Sequence, residues 1–266
     1  MNLFINYLDV NGLVLNDNIN YFLTVTNLFD ATRDVITNDM YIDGQSWTRS
    51  KTQMKTITLQ GVVQGNIATN LYLLKQYLFA DTTKVLTIGI NGMPTLTLTV
   101  DLLNWVSDPI NAQIITCTLV APDPNLYSQT PQVVSLGALS SNSLTFPFGF
   151  PLTFGTLTGA QGTIQNLGSS TAYPVITIVG VCDTLVISNA TTGESMSLAI
   201  SLGATDTLII DNNPATRSVT LDGVLRMDLK VGTWLSCPVG NNVFNFSRNS
   251  VSVLPQCSIS LLSRWI

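Results

Sequence analysis

The sequence contains no histidine in its 266 residues. That absence excludes Ser-His-Asp and Cys-His nucleophile pairs. Cys117, Cys182, Cys237 and Cys257 are the only cysteines, and none forms a C-x-x-C pair. Without histidine or clustered cysteine, no zinc-ligand pattern exists. Charge is scarce as well: 10% of residues are Asp, Glu, Lys or Arg, against roughly 25% in an ordinary soluble domain. Glu194 is the only glutamate; the remaining acids are aspartates, which favour turns and caps over helix interiors. No basic patch is present, so nucleic acid is not expected as a bound ligand. The first basic residue is Arg33, so no signal-peptide n-region is expected. No run of about 18 apolar residues occurs, so no membrane insertion is expected. There is no phosphate-binding G-x-x-x-x-G-K-[ST] loop, no G-x-G-x-x-G after a strand, and no EF-hand loop.

What is there is apolar and β-rich. Apolar residues make up 45% of the chain, enough for a sizeable core. The net charge is −5. The acidic excess sits before Gln129, where six Lys or Arg face ten Asp; beyond it five face six. Two readings of the low charge stay open. The surface is largely covered by partners, or neutral Thr, Asn and Ser keep an extracellular or virion protein soluble. Cys117 and Cys182 fall inside apolar strand patterns, and free thiols are expected. The nearest carboxylate pairs for glycoside hydrolysis are Asp30/Asp34, Asp39/Asp43 and Asp206/Asp211. All lie in turn-like stretches, where Asp is structural far more often than catalytic. The chain therefore reads as a non-enzyme with no cofactor.

Period-2 alternation organises both halves. Residues 1 to 35 read as two or three strands linked through Asn11-Gly12 and Asn16-Asp17-Asn18. Arg33 to Gln60 is the most charged stretch and reads as a long hairpin with a solvated arm, ending in the strand Thr56 to Val63. Its Arg33, Asp34, Asp39, Asp43, Arg49, Lys51 and Lys55 are the candidate interface residues, because charges at interfaces set register and orientation. Asn66 to Phe79 is the one helix: Ile67, Leu71, Leu74 and Leu78 fall at i, i+4, i+7 and i+11, and Asn66 suits the N-cap. Lys84 to Ile90 and Thr95 to Val100 flank an Asn91-Gly92 turn, and Gln113 to Val120 is a further strand. Pro122, Pro124 and Pro131 bar a regular ladder and mark a domain boundary. Beyond it, Phe146-Pro147-Phe148-Gly149-Phe150-Pro151 reads as a contact loop or a cover over a sandwich edge. Tyr173 to Gly180, Thr184 to Asn189, Ser195 to Leu202 and Thr207 to Ile210 then read as strands. Asp222-Gly223 joins a last short pair and suits a type I′ turn. Ser250 to Ile266 reads as a final strand.

The fold class is mainly β, with two antiparallel β-sandwich domains. The first, residues 1 to 128, carries the helix and the long hairpin; the second is residues 129 to 266.

The residues of the second half carry a resemblance. The series Asn166-Leu167-Gly168, Tyr173-Pro174-Val175-Ile176-Thr177-Ile178-Val179-Gly180 and Ile187-Ser188-Asn189-Ala190-Thr191-Thr192-Gly193-Glu194 comes first. It continues with Leu208-Ile209-Ile210-Asp211, Val219-Thr220-Leu221-Asp222-Gly223, Trp234-Leu235 and Pro238 to Phe246. In that order it resembles the C-terminal domain of the distal tail proteins of long-tailed siphophages. The Pro122-Asp123-Pro124 and Tyr127-Ser128 stretch resembles theirs too. The resemblance implies a galectin-like second domain and a structural virion protein of the phage tail tip, assembled in the host cytoplasm. It further implies a homohexameric ring built by the first domains around a lumen through which DNA passes. Implied partners are the tail tube protein, the tail tip or tail-associated lysin hub, and a receptor-binding protein. A rival reading is a carbohydrate-binding module using Trp47, Trp105, Trp234 or Trp265, but these are scattered over both domains. A second rival, another tail tube or tail tip subunit, is expected to be a single domain.

Overall fold

The computed structural model describes residues 5–39, 45–108, 111, 113–136, 159–249 and 255–266. The aromatic loop Phe146 to Pro151 lies outside them. The chain divides into two compact units, Met1–Gln129 with Trp265–Ile266, and Thr130–Arg264.

The first unit opens with β1 (Ile5–Val10), β2 (Leu13–Val14), β3 (Tyr21–Thr26), β4 (Arg33–Asp39), β5 (Gln45–Thr52) and β6 (Lys55–Val63). The helix α1 (Ile67–Leu78) follows, then β7 (Lys84–Ile90), β8 (Leu96–Ser107), β9 (Ile114–Ala121) and β10 (Leu126–Ser128). Strand order is β2-β1-β7-β8-β9-β6-β3, with β10 beside β8. One long strand serves both halves of this path. Lys84↔Val100 to Ile88↔Leu96 pair β8 with β7, whereas Asp101↔Val120 to Ser107↔Ile115 pair it with β9. A register shift between Leu102 and Asn104 marks the change, as expected where a bulge bends a strand from one sheet into the next. The two half-sheets enclose Leu8, Leu23, Ile57, Leu59, Leu86, Leu98 and Leu119. Helix α1 buries Leu74 and Leu78, and Asn66 caps it by accepting from the Thr69 amide. Tyr72 and Phe79, by contrast, point to solvent. At Gly61 the backbone of β6 lies so close to Phe22 of β3 that any side chain would collide with it.

In the second unit, one sheet runs β11 (Gln132–Leu136), β21 (Gln256–Leu261), β13 (Val175–Val179), β16 (Thr207–Asp211), β17 (Ser218–Leu221), β18 (Val224–Leu225). The other runs β12 (Gly159–Asn166), β20 (Gly240–Asn249), β14 (Cys182–Asn189), β15 (Glu194–Leu202), β19 (Lys230–Gly232). All these pairings are antiparallel. Inward residues of both sheets, among them Ile176, Ile178, Ile187, Leu198, Phe244 and Ile259, form one core. Asp222 and Gly223 turn β17 into β18 with φ of 48° and 80°, the positive pair a type I′ turn requires.

Four buried asparagines organise the loops at one end of this unit. Asn242 donates to Pro238 O (2.9 Å) and Gly240 O (3.0 Å) and accepts from Asn189 (3.2 Å). Asn189 also donates to Ser236 O (2.7 Å), and Asn166 to Ser170 O and Cys237 O. Asn212 accepts from the Leu235 amide and donates to Pro174 O. An amide side chain offers both donors and an acceptor, so these residues satisfy loop backbone that no strand reaches.

The last residues leave the second unit: Trp265, in the short strand β22 (Arg264–Trp265), is buried in the core of the first.

Candidate assembly surfaces

The charged hairpin is a two-stranded sheet of its own: β4 and β5 pair with each other from Arg33↔Thr52 to Asp39↔Gln45. At its root the Gln53 amide donates to Thr32 O (2.9 Å), and the Gln53 side chain donates to Asp34 Oδ1 (2.6 Å). Arg33, Asp34 and Val35 are exposed. Asp39 ends β4, and Arg49 and Lys51 lie in β5, in register with Ile36 and Asp34. Asp43 lies outside the described residues.

Lys55 stands apart from this group. It begins β6 in phase with the buried Ile57 and Leu59, is itself 4% exposed, and its Nζ donates to Leu28 O (2.9 Å). Burial lowers its pKa, and the charge of Asp30 works against that shift. Its charge is turned into its own domain and is not available to a neighbour.

Two grooves flank the rest of the first unit. One, of about 850 Å³, is bordered by the end of α1 and by β8. Phe79 and Leu103 stand exposed there. The Trp105 ring lies 6.3 Å from that of Phe79 and under Lys75 Nζ at 5.4 Å. Its indole N–H is buried without a partner. Lys84 Nζ borders the same groove, donating to Ala80 O (2.7 Å) and Asp101 Oδ1 (2.8 Å). The hydrogen bond from Lys84 is the main cause holding the Asp101 carboxyl below its usual pKa. The other groove, of about 730 Å³, lies over β3, β6 and β9. There Phe22, Val62 and Ile114 form a cross-strand row. Sequence periodicity could not single out these outward apolar residues, since isolated exposed apolar residues are ordinary.

Nothing in the described residues assembles chemistry. Asp206 accepts from the Gly203 amide, and Asp211 from the Asn213 amide and Thr216 hydroxyl; both close turns. No group of three or more His, Cys, Asp or Glu that could hold a metal occurs among the described residues. The four cysteines are free and buried. Burial pushes the thiols of Cys117, Cys237 and Cys257 up to about 12, with the Glu194 charge adding to the shift at Cys237 and Cys182 adding at Cys257. A nucleophilic cysteine needs the opposite shift. Trp105 and Trp265 pack in the first core and Trp234 against the second, so these three indoles form no common sugar-stacking platform. No helix of the described residues is long and apolar enough to cross a membrane.

The described residues thus form two β-sandwich units with an arm and two grooves, and no reactive centre is assembled among them. Residues 167–265 match the siphovirus-type tail component, C-terminal domain, a family represented by the Dit protein of phage SPP1. The solved structure of SPP1 Dit, described as a paradigm of the hub adsorption apparatus in phages infecting Gram-positive bacteria, is similar with a TM-score of 0.67. That likeness covers 98% of this chain and 99% of the other at 12% identity. A chain of the phage P2 baseplate in its activated conformation is similar with a TM-score of 0.53, over 96% and 97%, at 9% identity. No curated protein sequence matches the chain. The family match shows a siphovirus-type tail-component domain over residues 167–265, and the two structures show the fold of the whole chain.

Proposed function

We propose that six copies form a ring at the distal end of a long non-contractile tail. Residues 1 to 128 build the ring around a lumen for DNA, and residues 129 to 266, galectin-like, radiate outward. The ring joins the tail tube protein to the tip or tail-associated lysin hub and holds a receptor-binding protein. It assembles in the bacterial cytoplasm and touches DNA only in transit. The observation that carries this reading is the likeness to SPP1 Dit over nearly the whole of both chains, on top of the family match in the second unit. The scarcity of cations supports it, because each Lys or Arg contact would add phosphate affinity and hold the DNA back.

The contact between copies is assigned to the arm, through Arg33, Asp34, Asp39, Asp43, Arg49 and Lys51. A hairpin that forms its own sheet contributes little to the core it leaves. Replacing residues 38 to 50 by a tight turn should therefore keep the protein folded. Its melting temperature should fall by only a few degrees, about 1 kcal/mol or less. Light scattering after size exclusion should show hexamers, or stacked pairs of them, for the natural chain and none for the shortened one. Full rings from the shortened chain, or its failure to fold, would remove the arm from this role. A natural chain that stays monomeric up to about millimolar concentration, far above typical interface affinities, would remove the ring.

A further inference from the structure

One corner of the second unit brings together the free edges of both its sheets. Strand β18 ends the six-stranded sheet and β19 ends the five-stranded one. The short 3-10 turn Met227–Leu229 lies between them in the chain. Edge strands are normally guarded by charge, proline or a bulge. Here they are short but expose Val224, Leu225 and Val231, at 63%, 61% and 65%.

Beside these apolar edges two cations converge on one indole. Lys230 Nζ lies 4.6 Å from the centre of the Trp234 ring and the Arg217 guanidinium 5.5 Å from it. Neither has a carboxylate within ion-pair distance among the described residues. The acids of the segment are engaged elsewhere. Asp211 binds Asn213 N and Thr216 Oγ1, and Asp222 takes the Thr207 amide at 2.9 Å. Asp228 is held two-pronged by Arg226 at 3.1 and 3.0 Å. Lys230 reaches only Gly232 O. Burial and the nearby Arg217 both disfavour its charge. An aromatic face offsets part of that repulsion, but an anion between the two cations would offset far more. In a chain of net charge −5, two unpaired cations on an apolar edge are a matched surface for an acidic partner.

We propose that this corner binds an acidic, apolar-anchored peptide segment of a partner protein. A carboxylate of that segment sits between Arg217 and Lys230 beside Trp234, and its apolar side chains lie against Val224, Leu225 and Val231. The unpaired edges supply backbone donors and acceptors for an extended chain. A saccharide is the weaker occupant, because stacking on Trp234 would displace the cations already over its ring. The site is argued from the second unit alone and stands whether or not the first unit builds a ring.

The test uses the full-length chain and a fluorescein-labelled peptide carrying valines and glutamates between serines. A second peptide has glutamine in place of glutamate, and an oligogalacturonate serves as an anionic saccharide probe. Fluorescence anisotropy should show the acidic peptide bound about tenfold or more tighter than the glutamine peptide, weakening as salt rises through the screening range. Arg217→Gln with Lys230→Gln should lose the preference for glutamate. Arg217→Gln alone, at an exposed position, should reduce it several-fold without touching the fold. Val231→Ser should weaken both peptides alike. Hydrogen exchange should slow within residues 224 to 234 when the acidic peptide is present. The proposal fails if the two peptides bind equally or not at all. It fails equally if protection appears elsewhere, or if oligogalacturonate binds these residues more tightly than the acidic peptide.

Discussion

The two units bury polarity in different currencies. The first buries ionisable groups: Asp9, Lys55 and Lys84 are all less than a tenth exposed. The second buries Asn166, Asn189, Asn212 and Asn242, together with Ser263. Both choices satisfy backbone groups that strands leave open. Lys55 serves Leu28 O and Lys84 serves Ala80 O, at the end of the helix; the asparagines serve the loops around Pro174 and residues 235 to 240. An amide does this without a charge to desolvate, and its stability contribution does not titrate. A buried lysine brings a desolvation cost and ties stability to pH. The contrast is physical: the amide network's contribution should be insensitive to pH where that of the buried lysines is not.

The largest effect should come from breaking the amide network. Asn242→Leu leaves the half-buried Pro238 O and Gly240 O and one buried Asn189 N–H without their partner. A loss of about 2–4 kcal/mol is expected. Urea unfolding read by hydrogen exchange in second-unit peptides would check it; an unchanged midpoint would mean that water enters and replaces the amide. Next comes Asp17, whose Oδ1 accepts from the amides of Ile19, Asn20 and Tyr21 at 3.0, 2.8 and 2.8 Å. Burial works to raise its pKa, but the backbone donors outweigh it and hold the carboxyl below its usual range. Its contribution is therefore complete above the unfolded value of about 3.9 and lost as pH falls through the lower folded one. Asp17→Ala should cost about 1–2 kcal/mol near neutrality. The gap between variant and natural chain should begin to narrow below about pH 4 and close once the pH is below the lower folded value; a gap that does not narrow on acidification would locate the effect in packing.

The smallest change sharpens the contrast most. Lys55 has a folded pKa below its unfolded one. The unfolded chain thus holds its proton longer, and stability from this group rises as pH climbs from the folded value towards about 10.4. Lys55→Met gives up the bond to Leu28 O but also the desolvated charge. The net change should be within about 1 kcal/mol near neutrality. The alkaline rise should be missing from the variant and so appear in the difference between the two chains. Thermal melts across the alkaline range would show it; parallel pH profiles would mean that Lys55 keeps its charge hydrated.

Much of this fold could be read from side-chain spacing. The stripe Leu71, Leu74, Leu78 and the Asn66 cap foretold the helix, and Asp222-Gly223 foretold its hairpin, because both depend on neighbours in sequence. Strand β8 was harder. Alternation suggested an end at Val100, yet the strand runs on to Ser107. The bulge at Leu102 to Asn104 throws the pattern out of phase as the strand changes sheets. Lys55 hid in a run of charges, although its spacing to Ile57 and Leu59 matched the buried face of β6. The corner at Arg217, Lys230 and Trp234 had no local signal at all, since it arises where the ends of two sheets meet. The same holds for the engagement of every nearby carboxylate, which only tertiary pairing decides.

The burial of Trp265 has a consequence during synthesis. The first unit contains the start of the described chain and also a side chain, Trp265, that is translated after the whole second unit. Its core can close only after the whole second unit has been made and its final strand, β21, has been released. Until then the first unit waits with an indole-sized gap, while the second, lying in one continuous stretch, already has every residue it needs. Folding should thus run in the reverse of the order of translation, as expected where the longest-range contact closes last.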